Sequence, residues 1–300
     1  MCDWQFNSTK TAVFSDIHAN YDAFRACYED ALHKGADLFL FLGDYVSDMA
    51  DPEKVLDLVY EIQATYPCVC LRGNRERYLL EHAKGNQQFF PGSKSGSLLY
   101  TYQHLRKQDL RFFESLPAFH RIRINGILFE IAHAFKENDR FFFDGTDINT
   151  EQVFSQMEAP YLLAGHSHLQ FIRSHNGKTI LNPGSIGVPR DHGSLTQYAL
   201  LEFTGNQIVP HLRKIPYDIR STIHRQFESG LVEIAPHWAV SVLYDAITGR
   251  DYTISLLDRI EPSQVHNEEA WHRIALDMGM RFTEEEIVEY LEFLSPAILY

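Results

Sequence analysis

The chain has 300 residues, 45% of them hydrophobic and 22% charged, with a formal net charge of −13 from 27 basic and 40 acidic side chains. That composition excludes a disordered chain, and so acidic a surface excludes a bulk binder of nucleic acid or of anionic lipid, whose phosphates it repels. With 15 histidines and 4 cysteines, any metal held here is held through nitrogen and oxygen rather than sulfur.

In chain order, residues 13–15 end a short apolar strand that runs into Asp16-Ile17-His18. A helix follows, capped by Asn20, with Phe24, Cys27, Tyr28 and Ala31 at helical spacing and Gly35 at its end. Residues 37–42 form a near-continuous apolar strand that ends in Gly43-Asp44. Continuous apolar character means that both faces are buried. Asp51 and Pro52 open a second helix, and residues 67–71 make a third strand that ends in Arg72-Gly73-Asn74. The first third is therefore strand–helix–strand–helix–strand, with polar residues at each strand's C-terminal end. Open α/β sheets place their sites there.

Residues 75–117 are helical in pattern, with a polar break at 91–97. The middle of the chain is mainly antiparallel. Asn125-Gly126 and Asn176-Gly177 are hairpin turns between apolar runs, and Thr204-Gly205-Asn206 joins two more. Strands at 127–131 and 161–164 run into His133 and into Gly165-His166-Ser167-His168. From Tyr217 the pattern is helical again, and Thr283–Glu286 is a capping box for the last helix. The expected fold is mixed α/β: a four-layer αββα sandwich of two facing mixed sheets with outer helices. Residues 1–216 form its main domain, and residues 217–300 form a helical C-terminal extension packed on or beside it. The extension's helices offer a surface for self-association.

Four cysteines without a framework (Cys2, Cys27, Cys68 and Cys70) fit buried thiols in a reducing compartment. Residues 1–5 lack the basic and apolar regions of a signal peptide. The longest apolar run, residues 38–42, is far short of the ~20 residues that span a bilayer. The expectation is a cytoplasmic protein with no membrane partner.

Five polar clusters thus follow predicted strands: Asp16-Ile17-His18, Gly43-Asp44, Gly73-Asn74-Arg75-Glu76, His133, and Gly165-His166-Ser167-His168. Each is weak alone, since a Gly-Asp is usually a turn and a lone histidine in an apolar run is usually a core residue. Their joint placement can bring all five to one edge of the sheets. Such imidazole, carboxylate and amide groups suit Mn, Fe, Zn or Mg. A carboxylate such as Asp44 can bridge two ions. Two ions ~3.5–4 Å apart suit in-line displacement at phosphorus.

This ordered set resembles the calcineurin-like metallophosphoesterase superfamily, with its D-x-H, G-D, G-N-H-D/E, H and G-H-x-H motifs. It is most similar to the branch of small bacterial and archaeal phosphodiesterases that carry N-P-G-S, here Asn182-Pro183-Gly184-Ser185. The resemblance covers about residues 10–190. It implies one divalent ion (Mn, Fe, Zn, Ni or Mg) held by Asp16, His18, Asp44 and His168, and a second held by Asp44, Asn74, His133 and His166. It implies a hydroxide bridging the pair that attacks phosphorus, with no covalent enzyme intermediate.

One departure matters most. Arg75 stands where the family often has a histidine that assists the leaving group. Arginine is a poor proton donor but clamps phosphoryl oxygens. That favours a phosphoanhydride or an activated ester. Arg190 is a second candidate substrate contact, against pairing with Asp191. Asn182 and Ser185 are expected to brace the turn beside the metal edge. The expected function is a dinuclear-metal-dependent hydrolase of phosphoric esters or anhydrides acting on a small phosphorylated substrate, a nucleotide among the candidates. A dinucleoside polyphosphate hydrolase, a protein phosphatase and an inactive scaffold are the alternatives. Scaffold members lose ligands, whereas all seven ligand positions here hold competent residues.

Overall fold

The computed structural model describes residues 4–205, 207–265 and 267–294; Cys2, Asn206 and His266 lie outside them. The chain begins with β1 (Trp4–Phe6), β2 (Lys10–Phe14), α1 (Tyr21–His33), β3 (Leu38–Phe41), α2 (Pro52–Thr65) and β4 (Cys68–Cys70). Three helices follow: α3 (Asn74–Ala83), α4 (Gly96–Gln103) and α5 (Lys107–Ser115). Next come β5 (Phe119–Ile124), β6 (Ile127–Ala132), α6 (Ile148–Gln156), β7 (Tyr161–Ala164), β8 (Gln170–His175) and β9 (Lys178–Pro183). The long hairpin of β10 (Leu195–Thr204) and β11 (Gln207–Pro216) closes the sheets. Helices α7 (Ile219–Glu228), α8 (Leu231–Ile234), α9 (Pro236–Thr248), α10 (Tyr252–Arg259), α11 (Glu268–Asp277) and α12 (Glu284–Leu294) come last.

Local chemistry accounts for most boundaries. Asn20 caps α1 by accepting the N–H of Ala23 at 3.2 Å, and Pro52 opens α2 with a φ already suited to a helix. Asn125 and Gly126 both take positive φ (50° and 80°), as do Asn176 and Gly177 (47° and 76°), which a two-residue hairpin turn of this hand requires. Two elements carried no sequence signal. Strand β1 is three residues long and exists because it pairs in parallel with β5 far along the chain. Helix α6 buries only Thr150 and Val153, so its apolar stripe is too thin to read.

The strands form two mixed sheets, the expected arrangement. A six-stranded sheet runs β1-β5-β6-β7-β9-β8 and a five-stranded sheet runs β11-β10-β2-β3-β4. Strands β2, β3 and β4 pair in parallel. Their alternate residues serve two cores. Val13, Leu38, Leu40 and Val69 pack against Ile122, Phe129, Ile131 and Leu163 of the other sheet. Ala12, Phe14, Phe39 and Phe41 face outward onto Phe24 and Cys27 of α1 and onto Val59 and Ile62 of α2. Both faces being buried is why these strands are apolar throughout.

The C-terminal helices build their own core around Trp238, Leu243, Tyr244, Trp271 and Leu291. That core also takes in Ala19, Met49 and Val188 from the sheet-end loops and Tyr100 from α4. The join is polar as well. Ser194 N–H donates to the Ala246 carbonyl at 2.8 Å. Arg225 Nε lies 2.5 Å from Asp51 Oδ2, and its Nη2 also pairs with Asp22. A Cβ on Gly193 would fall 2.0 Å from the Ile247 carbonyl oxygen, so only glycine permits this approach.

Candidate metal centre

The loops that leave β2, β3, β4, β6 and β7 meet at one edge, where both sheets end. Asp16 and His18 come from the loop after β2, Asp44 from the loop after β3, and Asn74 from the first turn of α3. His133 follows β6, and His166 and His168 follow β7. The backbone here is costly. Asp16, His18, Asp44, His166 and His168 have φ of 53°, 50°, 55°, 66° and 60°. Left-handed non-glycine residues cost roughly 1–3 kcal/mol each and persist only where surroundings hold them. Here the loops hold one another. Asp16 N–H donates to the Gly43 carbonyl at 3.1 Å, and the amides of Ile17 and His18 both donate to Asp44 O, at 2.8 and 3.0 Å. Gly165 N–H donates to His133 O at 2.8 Å.

Two glycines here allow close approaches. A Cβ on Gly73 would sit 2.2 Å from Asp44 Oδ1, and one on Gly165 would sit 1.9 Å from Ser15 Oγ. Asn182 donates to the Gly165 carbonyl at 2.8 Å, and Ser185 Oγ donates to Asp16 O at 2.8 Å. The two N-P-G-S residues expected to brace the edge therefore do so.

The side chains converge. Asn74 Oδ1 lies 3.1 Å from His133 Nε2, and the same amide position is 3.1 Å from His166 Nδ1. His18 Nε2 and His168 Nε2 are 3.1 Å apart. Asp16 Oδ1 is buried without a hydrogen-bond partner, 3.3 Å from His168 Nε2 and 3.9 Å from His18 Nε2. Asp44 Oδ2 stands between the two halves, 3.8 Å from His18 Nε2 and 3.4 Å from His133 Nε2. Two overlapping groups, Asp16/His18/His168 and Asp16/Asp44/His133, each bring their ligand atoms within 4.8 Å. The donor set fits a divalent cation.

The imidazoles are turned to suit. His133 Nδ1 is 3.0 Å from Leu42 O, and His168 Nδ1 is 2.7 Å from Val188 O. Both carbonyls accept, which leaves each Nε2 aimed inward. Burial works to lower the His133 pKa, but the carboxylates of Asp44 and Asp16 override it and take the ring up to about 10. Burial, with His133 close by, holds His166 down at about 3. The acidic groups therefore demand positive charge at this spot.

Four further residues shape the edge. Glu76 is fully buried. Its carboxylate accepts the amides of Asp44 and Gly73 on Oε2, both at 2.9 Å, and of Tyr45 on Oε1 at 2.8 Å. Asp48 is nearly as buried. Its Oδ2 lies 3.0 Å from His18 Nδ1, without hydrogen-bond alignment, and 2.8 Å from Arg75 Nη2. Its Oδ1 accepts from Ser97 Oγ and from Trp238 Nε1, both at 2.8 Å. Sequence reasoning passed over Asp48, Ser97 and Trp238. The one available signal was that Asp48 lies in the loop that leaves the Gly43-Asp44 strand end. Arg190 pairs with Asp251 at 3.1 Å, and Asp191 instead takes Lys214 at 3.0 Å. Phe143 is buried in the core, while Phe142 is exposed.

A model of the calcineurin-like phosphoesterase superfamily domain matches residues 10–206. An uncharacterized protein of Methanocaldococcus jannaschii is 25% identical over 237 residues, which span 74% of this chain and 93% of that protein. A solved metallophosphoesterase from Sphaerobacter thermophilus is 21% identical with a TM-score of 0.63, over 80% of this chain and 100% of its own. A solved hypothetical protein from Pyrococcus horikoshii is 17% identical with a TM-score of 0.67, over 81% of this chain and 99% of its own. At these identities the two structures show a shared fold.

Proposed function

This chain belongs to the calcineurin-like phosphoesterase superfamily, and we propose that it hydrolyses phosphoesters or phosphoanhydrides with two divalent ions held at the sheet edge. One ion is held by Asp16, His18, Asp44 and His168, the other by Asp44, Asn74, His133 and His166. In this reading residues 1–216 form the phosphoesterase domain, and the helices from residue 217 onward extend it.

The observation that carries the reading is an orphaned buried carboxylate oxygen among converging ligands. Asp16 Oδ1 has no hydrogen-bond partner, 3.3 Å from His168 Nε2, and the groups Asp16/His18/His168 and Asp16/Asp44/His133 each bring their ligand atoms within 4.8 Å of one another, an arrangement that a cation resolves. Bound there, the ions supply an acidified water and neutralise charge on the phosphoryl oxygens. The chain's own residues do the rest. Asp44, fixed by the Glu76 clamp behind it, keeps the two halves in register. Arg75 brings a guanidinium that stays charged at all working pH. It stabilises phosphoryl oxygens as negative charge grows on them. Because Arg75 does not protonate a leaving group, we assign the protein to substrates whose leaving group is already good, a phosphate or an activated alcohol. Among the described residues no helix is long and apolar enough to cross a membrane. Cys27, Cys68 and Cys70 are free thiols, which supports a reducing compartment such as the cytoplasm.

The test is turnover of a monoester, a diester, inorganic pyrophosphate and a dinucleoside polyphosphate, each with Mn(II) and again after chelation. Chelator-sensitive hydrolysis that His133→Ala abolishes is expected. No turnover on the whole panel in the presence of Mn(II) would favour a catalytically inert scaffold.

A further inference from the structure

Beside the edge lies a recess that the phosphoesterase core does not complete alone. His168, Arg75 and Arg190 line it from the core, and Trp238, Val242 and Ile254 close it from helices α9 and α10. It touches the reacting centre directly through His168, and Arg75 faces it from the phosphate-binding side.

The helical wall is held firmly. Trp238 is 7% exposed, and its indole N–H is committed to Asp48. Val242 lies in the fully buried run of α9. Arg190 reaches across to Asp251, and Asp251 caps α10 by accepting the Ile254 amide at 3.0 Å. Gln226 of α7 donates to the Asp48 carbonyl at 3.0 Å. The recess therefore has a fixed rim, made of one segment of helices and one of sheet-end loops.

Its size is the informative quantity. It encloses about 70 Å³. A water occupies ~10–15 Å³ on this measure, and a cavity of ~150 Å³ accepts a benzene ring. The recess thus holds about five waters' worth of group within its walls, so an aromatic ring would have to protrude from it. Arg75 and Arg190 bring guanidinium groups to it, each paired with a carboxylate (Asp48 and Asp251), Asp245 and Thr253 add polar atoms, and Val242 and Ile254 give it an apolar wall. Arg75 also keeps its Nε buried without a partner, a donor with no acceptor supplied by the protein.

We propose that this recess is the subsite for the part of the substrate beyond the reacting phosphoryl group, and that Trp238, Val242 and Ile254 restrict it to compact groups. The proposal rests on the hydrolase reading for the position of the phosphoryl group. It adds that the C-terminal helices set specificity. The preferred leaving group is a phosphate, and a nucleoside or an aryl group is disfavoured.

Non-hydrolysable phosphonates test this without relying on turnover. The full chain loaded with Mn(II) is titrated calorimetrically with methylphosphonate and with phenylphosphonate. Wild type is expected to bind the methyl compound at least tenfold more tightly. The Val242→Ala/Ile254→Ala variant, confirmed folded by its thermal transition, is expected to bring the two affinities within about threefold. Ile254→Ala alone, at a half-exposed position, should move the ratio the same way. Equal affinities in wild type, an unchanged ratio in both variants, or no binding of methylphosphonate would overturn the proposal. Failure of the hydrolase reading is a separate result: phosphonates bind with this size preference while no ester or anhydride is cleaved.

Discussion

Glu76 and Asp44 are joined through the backbone, with the Glu76 carboxylate accepting the Asp44 amide at 2.9 Å from 32 residues away. The same carboxylate takes the amides of Tyr45 and Gly73, so one buried side chain holds the ends of two neighbouring strands together. Glu76→Gln turns an NH2 donor toward N–H donors. A buried donor left unsatisfied costs about 1–3 kcal/mol. Lower thermal stability together with weaker Mn(II) binding is expected, read by a melt and a titration on the same preparation. A stability loss with unchanged Mn(II) affinity would mean that Glu76 braces the fold and not the centre.

Gly73 separates space from conformation. A Cβ there would lie 2.2 Å from Asp44 Oδ1, whereas Gly85, with φ of 79°, has nothing within 4 Å. Gly85→Ala therefore suffers only left-handed strain, about 1–2 kcal/mol. Gly73→Ala displaces the Asp44 carboxylate. Mn(II) affinity should fall at least tenfold in Gly73→Ala and stay near wild type in Gly85→Ala. Similar affinities in the two variants would refute the steric account.

In the proposed reaction Arg75 sets the leaving-group preference. Its guanidinium lies 2.8 Å from Asp48, which aims it. Arg75→Ala should lower kcat/KM for a phosphoanhydride by ~10²–10³, the usual effect of removing a transition-state donor. Alkyl monoesters should be poor substrates of wild type. Steady-state rates on pyrophosphate and on an alkyl phosphate decide the matter. Faster cleavage of the alkyl ester by wild type would remove the argument from arginine.

The helical extension carries an acid-sensitive residue. Burial, then the neighbouring His272, holds the His237 imidazole down at about 4, while a free histidine titrates near ~6.5. The folded value is depressed, so the unfolded chain takes up the proton first as pH falls. The stability present above pH ~6.5 is lost progressively toward pH 4. Protection factors in helices α9 and α11, taken against the intrinsic exchange rate at each pH, should therefore fall over that window, and less so in His237→Gln. Identical pH dependence in the variant would assign the effect elsewhere.

The metal-edge residues could be read in the sequence because each follows a strand whose apolar run announces it. Asp16, Asp44, Asn74, His133 and His166 needed only local pattern and order along the chain. Two hairpins were legible for the same reason, since Asn-Gly states its own turn geometry. Trp238 was not legible. It meets Asp48 across 190 residues, and nothing local to either residue encodes that approach. Arg190 reads in the sequence equally as a substrate contact or as a partner of Asp191, and folding brings Asp251 to it instead. Strand β1 was missed because three residues have no periodicity of their own, only a partner.

In the proposed centre, seven residues at five strand ends hold a pair of divalent ions through a shared Asp44. Equilibrium dialysis against Mn(II), followed by metal analysis of the protein, counts them. Two ions per chain are expected in wild type, one in His133→Ala and fewer than one in Asp44→Asn. One ion or none in folded wild-type protein, or the same stoichiometry in all three, would contradict it.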